Sequence, residues 1–423
     1  MELKQDCVFF DPPWGGPGYK NNKSLDLFLG ERNVVDVIIE LFENNKVKYV
    51  VLKAPTNFNE TKLLNTLNLD KKYNMLKYDE KKRRNYITYF VYYINGLKSL
   101  EFNKDKKDPY FPYLSKKITD EKLKELVNKI IKDDINVSET SGEFKYVFSI
   151  NSDETGDISR VIQEEEILKT KLMLGNKQLF SFWDVWKDPS KGPRLKKDVL
   201  NSKDPYEEIW KLTKKYSYKI ATTFMPLYAK AIYKHFNASK VLDPCAGWGD
   251  RLIGAAASKC VKTYIGFDPN IRLRNGYAQE MKLFGHDLAS LNDKEMVFNN
   301  SFKIYSEPFE VGAKTYLKNF SNYFDLVFTS PPFFNYEVYT NSNPQYINWY
   351  DEFYKPLMLE SYRCVKPGGH VCIHISDTSA GKIKNFLEKE VSEFCDLKLI
   401  YKIGCEGFQS KKLRDIWVFQ KPK

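Results

Sequence analysis

An α/β fold with a mostly parallel sheet is predicted by three features of this 423-residue sequence. Short apolar runs that stop at polar or turn residues recur along its C-terminal half: Val241 to Asp243, Tyr264 to Asp268, Phe324 to Thr329 and His370 to Asp377. Stretches with helical spacing lie between them, and strands joined through helices run parallel. The 42% apolar and 29% charged composition belongs to a folded globular chain.

Taken in order, residues 1–97 read strand, turn, helix, strand. CVFF runs into the cluster DPPWGGPGY, VVDVIIELFENN carries apolar positions at helical spacing, and KYVVLKAP is a short buried-strand pattern. ITYFVYYI reads as a further strand, so one parallel βαβ unit is expected. Residues 98–213 are charge-rich and read as a helical connector or auxiliary region. KITDEKLKELVNKIIKDD is an amphipathic helix and NVSETSGE a loop. Residues 214–423 alternate strand and helix again and close on the strand IWVFQKPK, giving a complete domain with helices on both faces of the sheet.

Composition narrows the function. Sixty-six basic against 55 acidic residues leave a net charge of +11, which favours a polyanionic partner. Seven cysteines without a CxxC pair fit neither a disulfide framework nor zinc, and four histidines weaken any metal-hydrolase reading, so no metal is expected. No apolar run approaches the roughly 20 residues of a bilayer span. The N-terminus MELKQDCVFF lacks a secretory apolar core, so the chain reads as intracellular, cytoplasmic or nuclear, without a membrane partner.

Two motifs in the C-terminal domain carry chemistry. In the first, Asp243-Pro244-Cys245-Ala246-Gly247-Trp248-Gly249-Asp250 follows a strand and precedes the small-residue helix RLIGAAAS. Glycines at 247 and 249 allow a ligand close to the backbone and to the amides of a helix N-terminus. About 20 residues on, a second strand ends at Asp268, placed to accept from the two ribose hydroxyls of a nucleoside cofactor. No third glycine stands at dinucleotide spacing, which disfavours nicotinamide. The second motif is Ser330-Pro331-Pro332-Phe333, again at the end of a strand.

Together, Asp243-Pro244-x-x-Gly247-x-Gly249 and Ser330-Pro331-Pro332-Phe333 resemble the S-adenosylmethionine-dependent amino-methyltransferases of adenine N6 and cytosine N4. The resemblance covers residues 214–423. It implies a class I, Rossmann-like methyltransferase domain whose cofactor, S-adenosylmethionine, is held by Phe224, Asp243, Pro244, Cys245, Gly247, Gly249 and Asp268. Phe224-Met225-Pro226 is similar to the family segment that closes over the methionine end, and Lys366-Pro367-Gly368-Gly369 to a turn common in the wider fold. An exocyclic amino nitrogen is a poor nucleophile because its lone pair is delocalised into the ring. The resemblance makes the Ser330 hydroxyl and the Pro331 carbonyl the acceptors that localise it, with Pro332 stiffening the loop. Phe333 would stack a base taken out of the helix.

A third motif, Asp11-Pro12-Pro13-Trp14-Gly15-Gly16-Pro17-x-Tyr19, resembles trimethylguanosine synthases, where a tryptophan at the position of Trp14 stacks the cap base. Asp11 stands where the best-known members have serine. The motif begins ten residues into the sequence, without the cofactor-holding strands that should precede it. The N-terminal unit is therefore expected as an inactive half-domain, as a base- or cap-binding surface using Asp11 and Trp14, or as part of a permuted arrangement; a truncated reading of a longer protein also stays open. Basic stretches KKRRNY, NKDKK and LTKKYSYK could track phosphates, the last through Lys214, Lys215 and Lys219. The reading is methyl transfer to an exocyclic amino group of a nucleobase, in DNA ahead of RNA. An RNA methyltransferase and an inactive nucleic-acid-binding protein are the alternatives.

Overall fold

The computed structural model describes residues 5–13, 25–43, 47–55, 57–59, 73–82, 85–94, 118–150, 154–174, 177–299, 301–332, 337–338, 348–377, 382–407 and 412–423. The chain forms two compact units, Met1–Phe111 and Pro112–Lys423.

In the first unit, β1 (Gln5–Phe10) is followed by the short strands β2 (Phe28–Leu29) and β3 (Arg32–Asn33), then by the helix Val34–Glu43. Val34, Val35, Ile38, Ile39 and Phe42 recur at helical spacing and are buried together against Val50, Leu52 and Ala54 of β4 (Val47–Pro55). That burial holds β1 parallel to β4, with Cys7 opposite Tyr49 and Phe10 opposite Leu52, so the expected βαβ unit is present. β5 (Tyr73–Lys82) and β6 (Asn85–Ile94) pair antiparallel and complete a sheet of order β1-β4-β6-β5.

The second unit begins with the helix Asp120–Lys132, capped by Thr119, whose hydroxyl accepts from the Lys122 amide. β7 (Asn136–Glu139) and β8 (Tyr146–Ser149) follow, then β9 (Lys171–Leu174) and β10 (Lys177–Gln178). Next come β11 (Lys240–Asp243), β12 (Thr263–Phe267), β13 (Leu288–Leu291), β14 (Glu295–Phe298), β15 (Phe302–Tyr305) and β16 (Phe324–Thr329). β17 (Glu337–Val338), β18 (Val365–His374), β19 (Lys398–Glu406) and β20 (Leu413–Gln420) complete the order. Eleven of these strands form one sheet, β13-β14-β15-β12-β11-β16-β18-β20-β19-β8-β7.

The five central strands, β15-β12-β11-β16-β18, are all parallel. Antiparallel pairs extend the sheet on both sides, at β13-β14-β15 and at β18-β20-β19. The strand order runs outward from β11 in one direction and from β16 in the other. The crevice between the carboxyl ends of these two strands is therefore the topological switch point where ligands bind in open α/β sheets.

Two sequence expectations change here. NVSE of the expected loop is an edge strand, exposed at every residue and held by backbone pairing to β8 rather than by apolar burial, which is why no hydrophobic alternation announces it. The expected helical connector ending at residue 213 is not separate. From Pro112 onward it belongs to the second unit, and β8 joins the large sheet through parallel pairing with β19. Its helix Asp120–Lys132 shares a hydrophobic cluster with Leu227, Ile253 and Ala257. The Lys366-Pro367-Gly368-Gly369 segment lies within β18 as an irregularity in its register with β16, and Gly368 takes φ 74°, which only glycine adopts without strain.

Candidate active site

The glycine turn leaves β11 and enters the helix Asp250–Ala257. Gly247 and Gly249 take φ 59° and 90°, the left-handed region where a Cβ is strained. At Gly249 a Cβ would collide with the Glu280 carboxylate. The turn is tied to β12 by the Ala246 amide, which donates to the Phe267 carbonyl at 2.7 Å, and to the helix Arg274–Leu283 by the Tyr277 hydroxyl, which donates to the Gly247 carbonyl at 2.5 Å.

Asp268 stands at the carboxyl end of β12, half-buried. It accepts from the Gly247 amide at 3.0 Å and from the Asn270 amide at 2.8 Å. Burial pushes its carboxyl up to about 7. Each of its oxygens keeps a further lone pair for a ligand hydroxyl. Three residues on, Ile271 leaves 63% of its surface exposed beside this acid, an apolar side chain available to a flat ligand face.

Asp243 has a different place from the one expected. Its side chain is fully buried and accepts from Arg251 Nε at 2.8 Å, the Tyr264 hydroxyl at 2.7 Å and the Cys245 amide at 3.2 Å. It braces the turn from below rather than facing a cofactor. Arg251, which the sequence reading passed over, also donates to the Cys245 carbonyl. Pro244 is buried and Cys245 half-buried; burial raises the Cys245 thiol well above its ordinary range, which keeps it protonated.

The Cys245 amide also donates to Thr329 Oγ1 at 3.0 Å. Thr329 is buried and immediately precedes Ser330, so the two motifs meet across the switch point. Ser330 Oγ lies 3.0 Å from His374 Nδ1 and donates to the His374 carbonyl at 3.1 Å. His374 ends β18, beside β16, and burial lowers its imidazole to about 3, which keeps it neutral. Sequence reasoning missed it. The available signal was one of only four histidines, at the polar end of a buried strand. Phe224 packs edge-on to the His374 ring at 4.9 Å and to Phe328 at 5.6 Å, and its amide donates to Asp250 at 3.2 Å. Pro331 is buried and the Pro332 carbonyl accepts from the Tyr354 hydroxyl at 2.7 Å; Phe333 lies outside the described residues.

Behind the turn, the former connector supplies part of the brace. Ser159 Oγ donates to Asp250 at 2.5 Å, and Gln163 Nε2 to the Leu273 carbonyl at 3.2 Å and to Glu280 at 3.4 Å. Burial lifts Asp250 to about 7 and Glu280 well above the carboxylate range.

The remaining expected residues are dispersed. Lys214 is exposed and Lys219 half-buried, while Lys215 is ion-paired with Asp198 at 2.5 Å and is thereby partly neutralised. Asp11 lies in the other unit, exposed and 2.6 Å from Lys53, and Trp14 is outside the described residues.

The parallel core, the glycine turn, the strand-end acid and the neighbouring Ser-Pro-Pro loop have the arrangement of the class I methyltransferase fold, whose cofactor is S-adenosylmethionine. Residues 1–97 match the family model described as RNA cap guanine-N2 methyltransferase, and residues 324–422 match the model of the N6/N4 DNA methylases. The chain is 42% identical over 81 residues to the uncharacterized protein L320 of Acanthamoeba polyphaga mimivirus, covering 19% of this chain and 30% of that protein. Among solved structures it is similar to the O-methyltransferase TomG of Streptomyces achromogenes (10% identity, 51% of this chain and 89% of the other, TM-score 0.33). It is also similar to a methyltransferase of Pyrococcus furiosus (14% identity, 47% and 84%, TM-score 0.31).

Proposed function

We propose that the second unit methylates an exocyclic amino nitrogen of a nucleobase, in DNA, at cytosine N4 or adenine N6. The observation that carries this reading is the Cys245–Thr329 hydrogen bond, which joins a nucleoside-type half-site to the Ser-Pro-Pro loop in one crevice. The cofactor supplies an electrophilic methyl group. Gly247 and Gly249 let its backbone-facing atoms approach, Asp268 accepts from its ribose hydroxyls, and Ile271 offers an apolar face to its base.

The chain's own contribution at the substrate is acceptor placement. The Ser330 proton is committed to the His374 carbonyl and neutral His374 can donate from Nδ1, which leaves one Ser330 lone pair to accept from the substrate amino group. The Pro331 carbonyl is the second acceptor; that of Pro332 is engaged by Tyr354. Two acceptors on the two amino hydrogens localise the nitrogen lone pair for attack. The proton released after transfer leaves to water, since an imidazole near 3 holds it poorly.

Nucleoside mass spectrometry after incubation with cofactor and DNA tests the reading. N4-methylcytosine or N6-methyladenine is the expected product, and methylation only at carbon or oxygen would overturn it. A second reading, an RNA substrate, is favoured by the cap guanine-N2 match over residues 1–97 and would appear as N2-methylguanosine or a methylated internal amino group in RNA.

A further inference from the structure

The stretch from Lys171 to Lys219 holds 12 basic against six acidic residues, a net charge of +6 out of the whole chain's +11. Its described part is a run of short elements within the second unit: β9 and β10, then the helices Phe182–Lys187, Gly192–Leu200, Pro205–Lys211 and Thr213–Tyr216. The run is set by an aromatic centre. Phe182 and Trp186 are buried with Tyr218, with rings 5.2 to 5.5 Å apart, and Phe180 bridges to Tyr218 through the backbone.

Two features place this segment and its charge. First, β9 pairs antiparallel with β17, Leu172 opposite Glu337 and Lys171 opposite Val338. β17 begins five residues after Pro332, so the chain leaving the Ser-Pro-Pro loop is hydrogen-bonded directly to the basic segment. Second, the helix Gly192–Leu200 turns Leu195 and Val199 inward, and Lys191, Arg194 and Lys197, three residues apart, share an exposed face. The ion pairs of this stretch are Lys171–Asp184, Lys211–Glu207 and Lys215–Asp198; Asp198, on the same helix as Arg194 and within its electrostatic reach, is thus already paired with Lys215. Lys191 Nζ sits 4.7 Å over the ring of Phe180, which is half exposed, so the cationic row ends on an aromatic face.

The geometry points to residues 171–174 and 177–218 as the nucleic-acid docking segment of the enzyme, with Lys191, Arg194 and Lys197 on the phosphate backbone and Phe180 beside them as a stacking face. The partner follows from charge and shape: a row of cations at helical spacing next to an exposed ring suits a phosphate backbone with accessible bases. The strand pairing then delivers that backbone to the loop where the amino group is to be methylated. The inference rests on the reading that the substrate is a nucleic acid.

The test is equilibrium binding of the full chain to duplex DNA, single-stranded DNA and single-stranded RNA across a salt series, without cofactor. Lys191→Ala, Arg194→Ala and Lys197→Ala together should lower the slope of log affinity against log salt by about two to three on single-stranded DNA, whose bases are accessible. A charge-matched control, Lys124→Ala, Lys132→Ala and Lys398→Ala, should leave the slope unchanged. Phe180→Ala should weaken binding to single strands more than to duplex. Equal slopes for the two triple variants, or tighter binding of poly-glutamate than of any oligonucleotide, would overturn the docking assignment. Failure of the methylation reading looks different: no methylated nucleoside from a chain whose binding still depends on the Lys191 row.

Discussion

Two regions of this chain carry the same signature, a strand ending in a polar residue and two prolines, and they are built differently. Ser330-Pro331-Pro332 ends β16, which has β11 on one side and β18 on the other. Those neighbours bring the glycine turn and His374 to the same edge. Asp11-Pro12-Pro13 follows β1, whose partner among the described residues is β4 alone. What meets Asp11 there is the ammonium of Lys53. The contrast teaches that the proline string supplies a stiff, outward loop, whereas the chemistry comes from what the flanking strands deliver. The same contrast runs through the acid–cation pairs: Asp243–Arg251 is sealed in the interior, and Asp11–Lys53 is open to water.

The largest effect is expected from breaking the sealed pair. Arg251→Met leaves the buried Asp243 carboxylate without its cation and should cost about 3–5 kcal/mol in urea unfolding of the second unit. Asp11→Ala should cost about 1 kcal/mol or less. Equal losses would erase the distinction between the two strand ends.

Next comes catalysis. Ser330→Ala or Pro331→Ala should slow single-turnover methylation by about 100-fold or more at saturating cofactor, because each removes a preorganised acceptor or its support. Phe333→Ala should also lose most of the chemical step while cofactor affinity holds. Asp11→Ala should stay within a few-fold of the parent, and Trp14→Ala should weaken substrate binding by at most roughly 1–3 kcal/mol. An active Ser330→Ala beside a dead Asp11→Ala would reverse the assignment of the two motifs.

Cofactor affinity gives a smaller and sharper test. Asp268→Ala should weaken S-adenosylmethionine binding by about 1.5–3 kcal/mol in calorimetry. With its carboxyl near 7, Asp268 is largely neutral at pH 6 and ionised at pH 8, and the ionised form is the better acceptor. Affinity should therefore rise between pH 6 and 8, and Asp268→Asn should flatten the profile. Folding linkage has the opposite sign. Between about pH 4 and 7 the folded protein holds protons on Asp268 and Asp250 that the unfolded chain has released, so stability without cofactor should fall as pH rises through that window. His374 titrates near 3, so no limb of the methylation profile between pH 5 and 8 should vanish in His374→Phe, although its rate should drop.

Much of the second unit was legible because its signals are local. An apolar run stopping at Asp243, Asp268, Thr329 or His374 marks a strand and its polar end, and glycines at 247 and 249 mark a turn that a Cβ would strain. Those patterns need no partner to be read. β7 was illegible for the converse reason: exposed on every residue, it exists only through its pairing with β8.

The sequence by itself determined the alternation of elements, the two motifs and the chemical types at strand ends, since each is written within a few residues. Tertiary structure alone decided which of those residues meet. Ser330 and His374 are 44 positions apart, Ser159 and Asp250 91 apart, and β9 and β17 come together across more than 160 residues. The order of strands in the sheet sets such meetings, and that order is fixed by burial and backbone pairing summed over the whole unit. Asp243 makes the point on one side chain: its carboxylate was evident from the motif, but only the closing of Arg251 and Tyr264 around it, which leaves no surface for a ligand, turned it from a binding group into a brace.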